Sequence, residues 1–212
     1  MTVTCYDGET LAADRMSRVT GDDGGRKVKS LAQDKITVDF NNTIFDGEKV
    51  YAVGRAGRLK VSLALVDIMK RSRDMAEDLE KVEIKLRKRV PEKNMAKAAL
   101  LVMTSKHIHV LRVSKNYKVT WQKEDRSEKI AIGSGKTVAE FLMRHLGVSA
   151  VDAVAASELH HDCCGGGVSY TSRIKSVQKN PIGVNESIEP SKLPRAFLRN
   201  VISSARAQLD RS

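Results

Sequence analysis

The apolar and polar positions of this 212-residue chain change period several times along its length. Val3-Thr4-Cys5-Tyr6 and Thr10-Leu11-Ala12-Ala13-Asp14 flank an Asp7-Gly8 pair, which supplies positive φ at a tight turn, so the chain is expected to open on a β-hairpin. Residues 20–25 read as a loop, and 26–31 alternate into a strand. Two further β runs, 36–40 and 50–53, follow around an Asp46-Gly47 turn. After Gly57, the apolar residues Leu59, Leu63, Val66, Met69 and Met75 recur at helical spacing, which predicts one long amphipathic helix covering that sheet. Residues 80–97 are charged and interrupted by Pro91, as at a helix end or in a solvated excursion.

Residues 99–104, 108–113 and 117–122 form a second β meander. Gly133-Ser134-Gly135 then opens a helix through Leu146, and a second helix over 149–159 starts at a Ser149/Asp152 capping arrangement. Gly165-Gly166-Gly167 leads into a strand over 168–174. Pro181, Pro190 and Pro194 precede a last helix from about residue 196 to 209, with Phe197, Val201 and Ile202 on one side. Runs of strands segregated from helices predict an α+β fold, with residues 1–178 as one domain and 179–212 as a Pro-containing linker and C-terminal amphipathic helix.

The formal net charge of +11 is unevenly spread. Asp7, Glu9, Asp14, Asp22 and Asp23 make the start acidic, whereas Lys81, Lys85, Arg87, Lys88, Arg89, Lys93 and Lys97 concentrate positive charge mid-chain. Such a face attracts phosphate backbones or acidic protein surfaces without choosing between them. Aromatic residues are 4%, too few for the stacking platforms that grip single strands. The three cysteines, two of them adjacent at Cys163 and Cys164, form neither a disulfide framework nor paired zinc motifs and read as reduced thiols. No apolar run approaches the ~20 residues needed to span a bilayer, so a cytoplasmic protein with no membrane partner is expected.

Thr2 is the first chemical candidate. With Met1 removed it carries a hydroxyl nucleophile and a free α-amine base in one residue, and such amines titrate near pH ~8. The alternative is an ordinary edge hairpin that starts Met-Thr. Gly133-Ser134-Gly135-Lys136-Thr137 ends like a phosphate-binding loop, but Ile130 stands where that motif needs its first glycine. His160-His161-Asp162-Cys163-Cys164 gathers metal-ligand types, yet adjacent residues point apart and converge poorly on one ion, so no metal is assigned. His107 and His109 read as surface residues of a hairpin, and no cofactor is expected.

Taken in order, Met1-Thr2, Asp7-Gly8, Leu11 to Asp14, Lys27-Val28-Lys29, Val53 to Gly57, Ala131 to Gly135 and Asp162 to Gly167 resemble proteasome β-type subunits. They are also similar to the bacterial HslV-type peptidase that partners an unfoldase ring, and especially to short proteasome-like proteins encoded by phages. The resemblance covers about residues 2–175. It implies a four-layer αββα N-terminal-nucleophile fold. It also implies roles: Thr2 as nucleophile, Asp14 as the carboxylate that orients a lysine, and Lys27 as that lysine. Ser134 and Asp162 become the pair near the amine, the Gly57 N–H the oxyanion donor, and Arg55 a lining residue of the pocket for the residue before the scissile bond.

Between Thr2 and Asp14 the hairpin is shorter than in the proteasome, and each missing strand residue displaces the threonine by about 3.3 Å. Gly165 also stands where proteasome subunits carry a serine. The leading expectation is a threonine-type endopeptidase acting on peptides or proteins, a homo-oligomer with an unfoldase ring or host protein as further partner, in the host cytoplasm if phage-encoded. The second is a catalytically inactive protein of the same fold that binds a host or virion protein, or nucleic acid, through its basic surface.

Overall fold

The N-terminal hairpin forms where its turn residues place it. β1 (Val3–Tyr6) and β2 (Thr10–Asp14) pair antiparallel, Asp7 Oδ1 accepts from the N–H of Glu9 at 3.1 Å and of Thr10 at 2.8 Å, and Gly8 takes φ +108°. The computed structural model describes residues 2–20, 28–160, 167–172 and 185–188. All four residues of β1 are buried, since it lies inside a five-stranded sheet between β2 and β11 (Ile130–Gly133). β12 (Val168–Ser172) and β13 (Asn185–Ile188) continue that sheet beyond β2. β13 adds an edge strand in a stretch read from its prolines as linker, and the helix expected over about 196–209 falls outside the described residues.

Strands β3 (Met16–Thr20) and β4 (Val28–Ala32) form a separate two-stranded ribbon, the first of them unsuspected from the sequence. β5 (Ile36–Thr37) and β6 (Ile44–Phe45) flank the long β7 (Glu48–Gly57). The Asp46-Gly47 turn is built with φ +53° and +71°. β7 then pairs with β8 (Ala98–Thr104), followed by β9 (Ile108–Val113) and β10 (Val119–Glu124), in a six-stranded sheet of order β10-β9-β8-β7-β5 with β6 paired to β7 off this path.

The expected single long helix is two. α1 (Leu59–Lys70) buries Val61, Leu65, Val66, Ile68 and Met69 but leaves Leu63 exposed, and Met75 is buried beyond its end. α2 (Leu79–Arg89) occupies the charged stretch read as a helix end or excursion. It needs only Val82 and Leu86, one turn apart, for its buried stripe. The Asp78 side chain caps its start by accepting from Lys81 N at 3.0 Å, and Arg87, Lys88 and Arg89 complement the negative end of its dipole. Pro91 follows the helix rather than breaking it. α3 (Lys136–Leu146) ends at Gly147 with φ +65°, and α4 (Ala150–His160) is entered through Ser149, whose Oγ accepts from Asp152 N at 3.2 Å.

Three apolar clusters tie these parts together. One lies between the six-stranded sheet and α1 with α2, built on Val53, Leu65, Met69, Leu86, Leu100, Val102 and Leu111. A second joins Val3, Cys5 and Ala12 to α3 and α4, where Ala139, Ala150, Ala153 and Ala156 let helix and sheet approach closely. The third lies where the sheets face one another and contains Tyr6, Leu11, Ala13, Ala52, Leu101, Met103, Ile108 and Val110. The fold is thus α+β, with two main sheets and four helices among the described residues. No helix among them is long and apolar enough to cross a membrane.

Candidate active site

Thr2 precedes the buried strand β1, and its own surroundings hold it in place. Its carbonyl accepts from the Ser134 N–H at 2.8 Å and from Ser134 Oγ at 3.4 Å. Its hydroxyl accepts from the Gly57 N–H at 3.3 Å. The residue is 8% exposed. Two glycines make this approach possible. A Cβ on Gly133 (φ +99°) would sit 1.9 Å from Thr2 O, and one on Gly57 (φ +92°) would sit 2.5 Å from Lys97 O. Only a residue without a side chain allows these backbones to meet with the N–H groups aimed as they are.

The strand behind Thr2 is anchored through Asp14, which is fully buried. Its Oδ1 accepts from Val3 N at 2.8 Å, and its Oδ2 accepts from Lys35 Nζ at 2.8 Å. Lys35 also donates to Met16 O at 2.5 Å and is 3% exposed. The lysine on Asp14 is therefore Lys35, in the turn before β5, a residue the sequence reading passed over; Lys27 lies outside the described residues. No local pattern singles out Lys35.

Glu158, on α4, is a further group that sequence reasoning missed. Burial, with the Asp14 charge adding to it, raises its carboxyl to about 7, while Lys35 and the Gly167 N–H act the other way. Its Oε1 has no hydrogen-bond partner among the described residues. Asp162 lies outside the described residues, as do His161, Cys163, Cys164, Gly165 and Gly166.

Arg55 is 4% exposed and adjoins the same place. Its Nη2 donates to Asp34 O at 2.6 Å, whereas Nε and Nη1 are buried with no hydrogen-bond partner among the described residues. Burial pulls its pKa down, with the Asp34 charge opposing. It lines a cavity of about 20 Å³ with Thr2, Lys35, Ala56, Gly57, Leu59 and Ser62. On the other side of Gly57 a much larger cavity, about 830 Å³, opens between Gly133-Ser134 and the ends of β8, β9 and β10.

Of the remaining sequence candidates, one turn lies at this centre and the histidines and basic helix serve other parts of the fold. The Gly133-Ser134-Gly135 turn serves Thr2 instead of a phosphate loop, since the Ile130 position lies within β11. His109, expected on the surface, is fully buried between Phe45 and Trp121, with ring centroids at 5.0 and 5.4 Å. Burial lowers its pKa to about 4. His107 Nδ1 lies 2.5 Å from Glu48 Oε1. Among the described residues no group of three His, Cys, Asp or Glu side chains is placed to hold a metal ion. In α2, Arg87 lies over the Tyr117 ring at 4.6 Å and Arg89 pairs with Asp67, so part of the basic cluster serves packing.

No family model matches the chain, and no curated protein matches it. Solved structures do. Anbu from Hyphomicrobium sp. strain MC1 is 14% identical over 100% of this chain and 96% of its own, with a TM-score of 0.53. Anbu (ancestral beta-subunit) from Yersinia bercovieri is 11% identical over 99% of this chain and 95% of its own, with a TM-score of 0.54. At these identities the likeness shows the fold alone. It corrects the expected resemblance to proteasome β subunits and HslV-type peptidases in their short phage-encoded form, because the structural neighbours are Anbu proteins.

Proposed function

We propose that this protein is a threonine-type N-terminal-nucleophile peptidase built on a four-layer αββα frame, with Thr2 as nucleophile once Met1 is removed. The observation that carries the reading is the hydroxyl of Thr2 against the Gly57 N–H, on a strand whose next residue hangs from the buried Asp14–Lys35 pair. A second support is that a cavity of about 830 Å³ opens beside Gly57 and Ser134, the two residues that hydrogen-bond to Thr2, leaving room for a chain next to it.

In this reading Thr2 Oγ attacks the scissile carbonyl carbon as its proton passes to the threonine α-amine. The charge that develops on the carbonyl oxygen is received by the Gly57 N–H, a group worth roughly 10²–10³ in kcat when such donors are removed elsewhere. The amine then hands its proton to the leaving nitrogen as the C–N bond breaks, leaving an ester on Thr2. Water, deprotonated by the same amine, attacks that ester and releases the acid product. The role expected of Lys27 falls to Lys35, whose charge lowers the amine's pKa toward neutrality. The same reading assigns Ser134 and Asp162 to the amine, Asp162 lying outside the described residues, and Arg55 to the pocket for the residue before the scissile bond. Packing of copies into a homo-oligomer is part of the same proposal.

Intact mass and peptide turnover test it together. The expected result is loss of Met1 and cleavage of internally quenched peptides, abolished in Thr2→Ala with an unchanged circular dichroism spectrum. Quantitative retention of Met1, or full activity in Thr2→Ala, overturns it.

A further inference from the structure

The mouth of the larger cavity has a composition that the chemistry at Thr2 does not require. Ala56 of β7 pairs with Ala99 of β8, Ala99 with Arg112 of β9, and Arg112 with Thr120 of β10. These four residues form one rung of the sheet and project from one face, since side chains on a rung share a side. Further along the same face stand Leu101 and Val110, then Met103 and Ile108, which fill the space between the sheets. At the rung nearest Gly57, Ala99 stands where β8 otherwise carries Leu101 and Met103, Arg112 stands where β9 carries Val110 and Ile108, and an opening of about 830 Å³ lies there.

Three cations line that opening: Lys97, Arg112 and Lys118. All three are exposed, and among the described residues none has an ion-pair partner and no Asp or Glu lines the cavity. An open channel that gathers one sign of charge over a low-dielectric floor concentrates ligands of the opposite sign. The floor here is backbone and small apolar groups from Ala56, Ala98, Ala99 and Val113, which accept an extended chain in register with the sheet without selecting its side chains.

The geometry points to a cationic subsite in which Lys97, Arg112 and Lys118 hold acidic residues of a peptide flanking the bond presented to Thr2. This rests on the hydrolase reading for its place in catalysis, but binding of an acidic peptide stands apart from cleavage. The open channel shares Ala56 and Gly57 with the surroundings of Thr2, so a chain lying in it runs beside the proposed nucleophile.

The test uses internally quenched octapeptides identical except for Glu, Gln or Lys at each position flanking the cleaved bond. For the wild-type chain, kcat/KM with Glu should exceed that with Gln by roughly fivefold to tenfold at low ionic strength, as expected for a few exposed charge pairs. The preference should fade toward unity near about 1 M salt, where screening is short-ranged. In Arg112→Glu/Lys118→Glu the ratio of Glu to Lys peptides should invert, while Arg112→Gln/Lys118→Gln should flatten it. Cleavage without charge preference, or a preference the variants leave untouched, overturns the subsite and spares the hydrolase. If no peptide is cleaved, the hydrolase reading fails and fluorescence anisotropy of a labelled hexaglutamate peptide on the Thr2→Ala protein decides the subsite. Salt-sensitive binding lost in the charge-reversed double variant supports it, and absence of binding overturns it.

Discussion

Asp14 Oδ2 and Lys35 Nζ lie 2.8 Å apart with side chains 0% and 4% exposed, 21 residues apart in sequence. A pair this deeply desolvated adds little to stability compared with an apolar replacement, but losing one partner strands the other. Lys35→Met and Asp14→Leu are each expected to cost ~3–5 kcal/mol in urea denaturation, and the double variant to recover a good part of the sum. Additive losses would show that the two side chains do not act as a unit. Both variants should also lose peptide turnover, because Val3 hangs from the same carboxylate and Thr2 precedes it.

Gly57→Ala forces a Cβ to within 2.5 Å of Lys97 O at φ +92°. The strand must move, and with it the N–H aimed at Thr2 Oγ, so kcat should fall by ~10²–10³. Gly47→Ala is the control. Its φ of +71° is similarly unfavourable, but nothing lies within 4 Å of the new Cβ, and only ~1 kcal/mol of stability is expected to be lost. Equal effects of the two substitutions on turnover would remove Gly57 from the chemistry.

The raised carboxyl of Glu158 carries a pH dependence. Between 4.5 and about 7 the unfolded chain has released this proton while the folded chain still holds it, so the stability tied to the group is full below about pH 4.5 and lost as pH rises through 7. Glu158→Gln removes that loss. Relative to wild type it should gain stability from about pH 4.5 to 8, by up to ~3 kcal/mol. A constant difference across that range would mean that Glu158 titrates normally.

Glu48 works in the opposite sense. Burial alone would raise it, but hydrogen bonds from Thr104, His107 and the Lys106 N–H hold it down at about 2. Its contribution is present above pH 4.5 and lost as pH falls toward 2, so Glu48→Gln should lose its destabilising effect in acid. At neutral pH the substitution should cost ~1–3 kcal/mol, since Thr104 Oγ and two backbone N–H groups depend on this carboxylate. The neighbouring His109 should remain neutral in an NMR titration until about pH 4, and a midpoint near 6.5 would contradict its burial.

The basic helix divides into charges that pack and charges that do not. Arg87 donates to Asn116 O at 3.1 Å and covers Tyr117, and Arg89 reaches Asp67, whereas Lys85 and Lys88 are exposed. Arg87→Ser/Arg89→Ser should lower Tm measurably, and Lys85→Ser/Lys88→Ser should leave it unchanged. An equal loss from both pairs would show that net charge, not packing, governs this helix.

The parts of this protein that were legible in its sequence are those whose causes are local. Asp7-Gly8 and Asp46-Gly47 place their turns, Ser149 and Asp152 start α4, and short apolar-rich runs mark β8 and β9, because turn chemistry and side-chain patterning act within a few residues. Thr2, Asp14, Gly57 and Ser134 were found through a resemblance in order and spacing, and the structure brings them together. What the sequence concealed depends on closure over long distances. α2 was hidden because a helix docked on a sheet needs only Val82 and Leu86 to be apolar, and its remaining charges read as a solvated stretch. Lys35, Glu158 and the buried guanidinium of Arg55 have no local signal at all. Which charge meets which, how far each is drawn from water, and which cation shares a rung with Ala99 were decided only when strands distant in the chain came side by side.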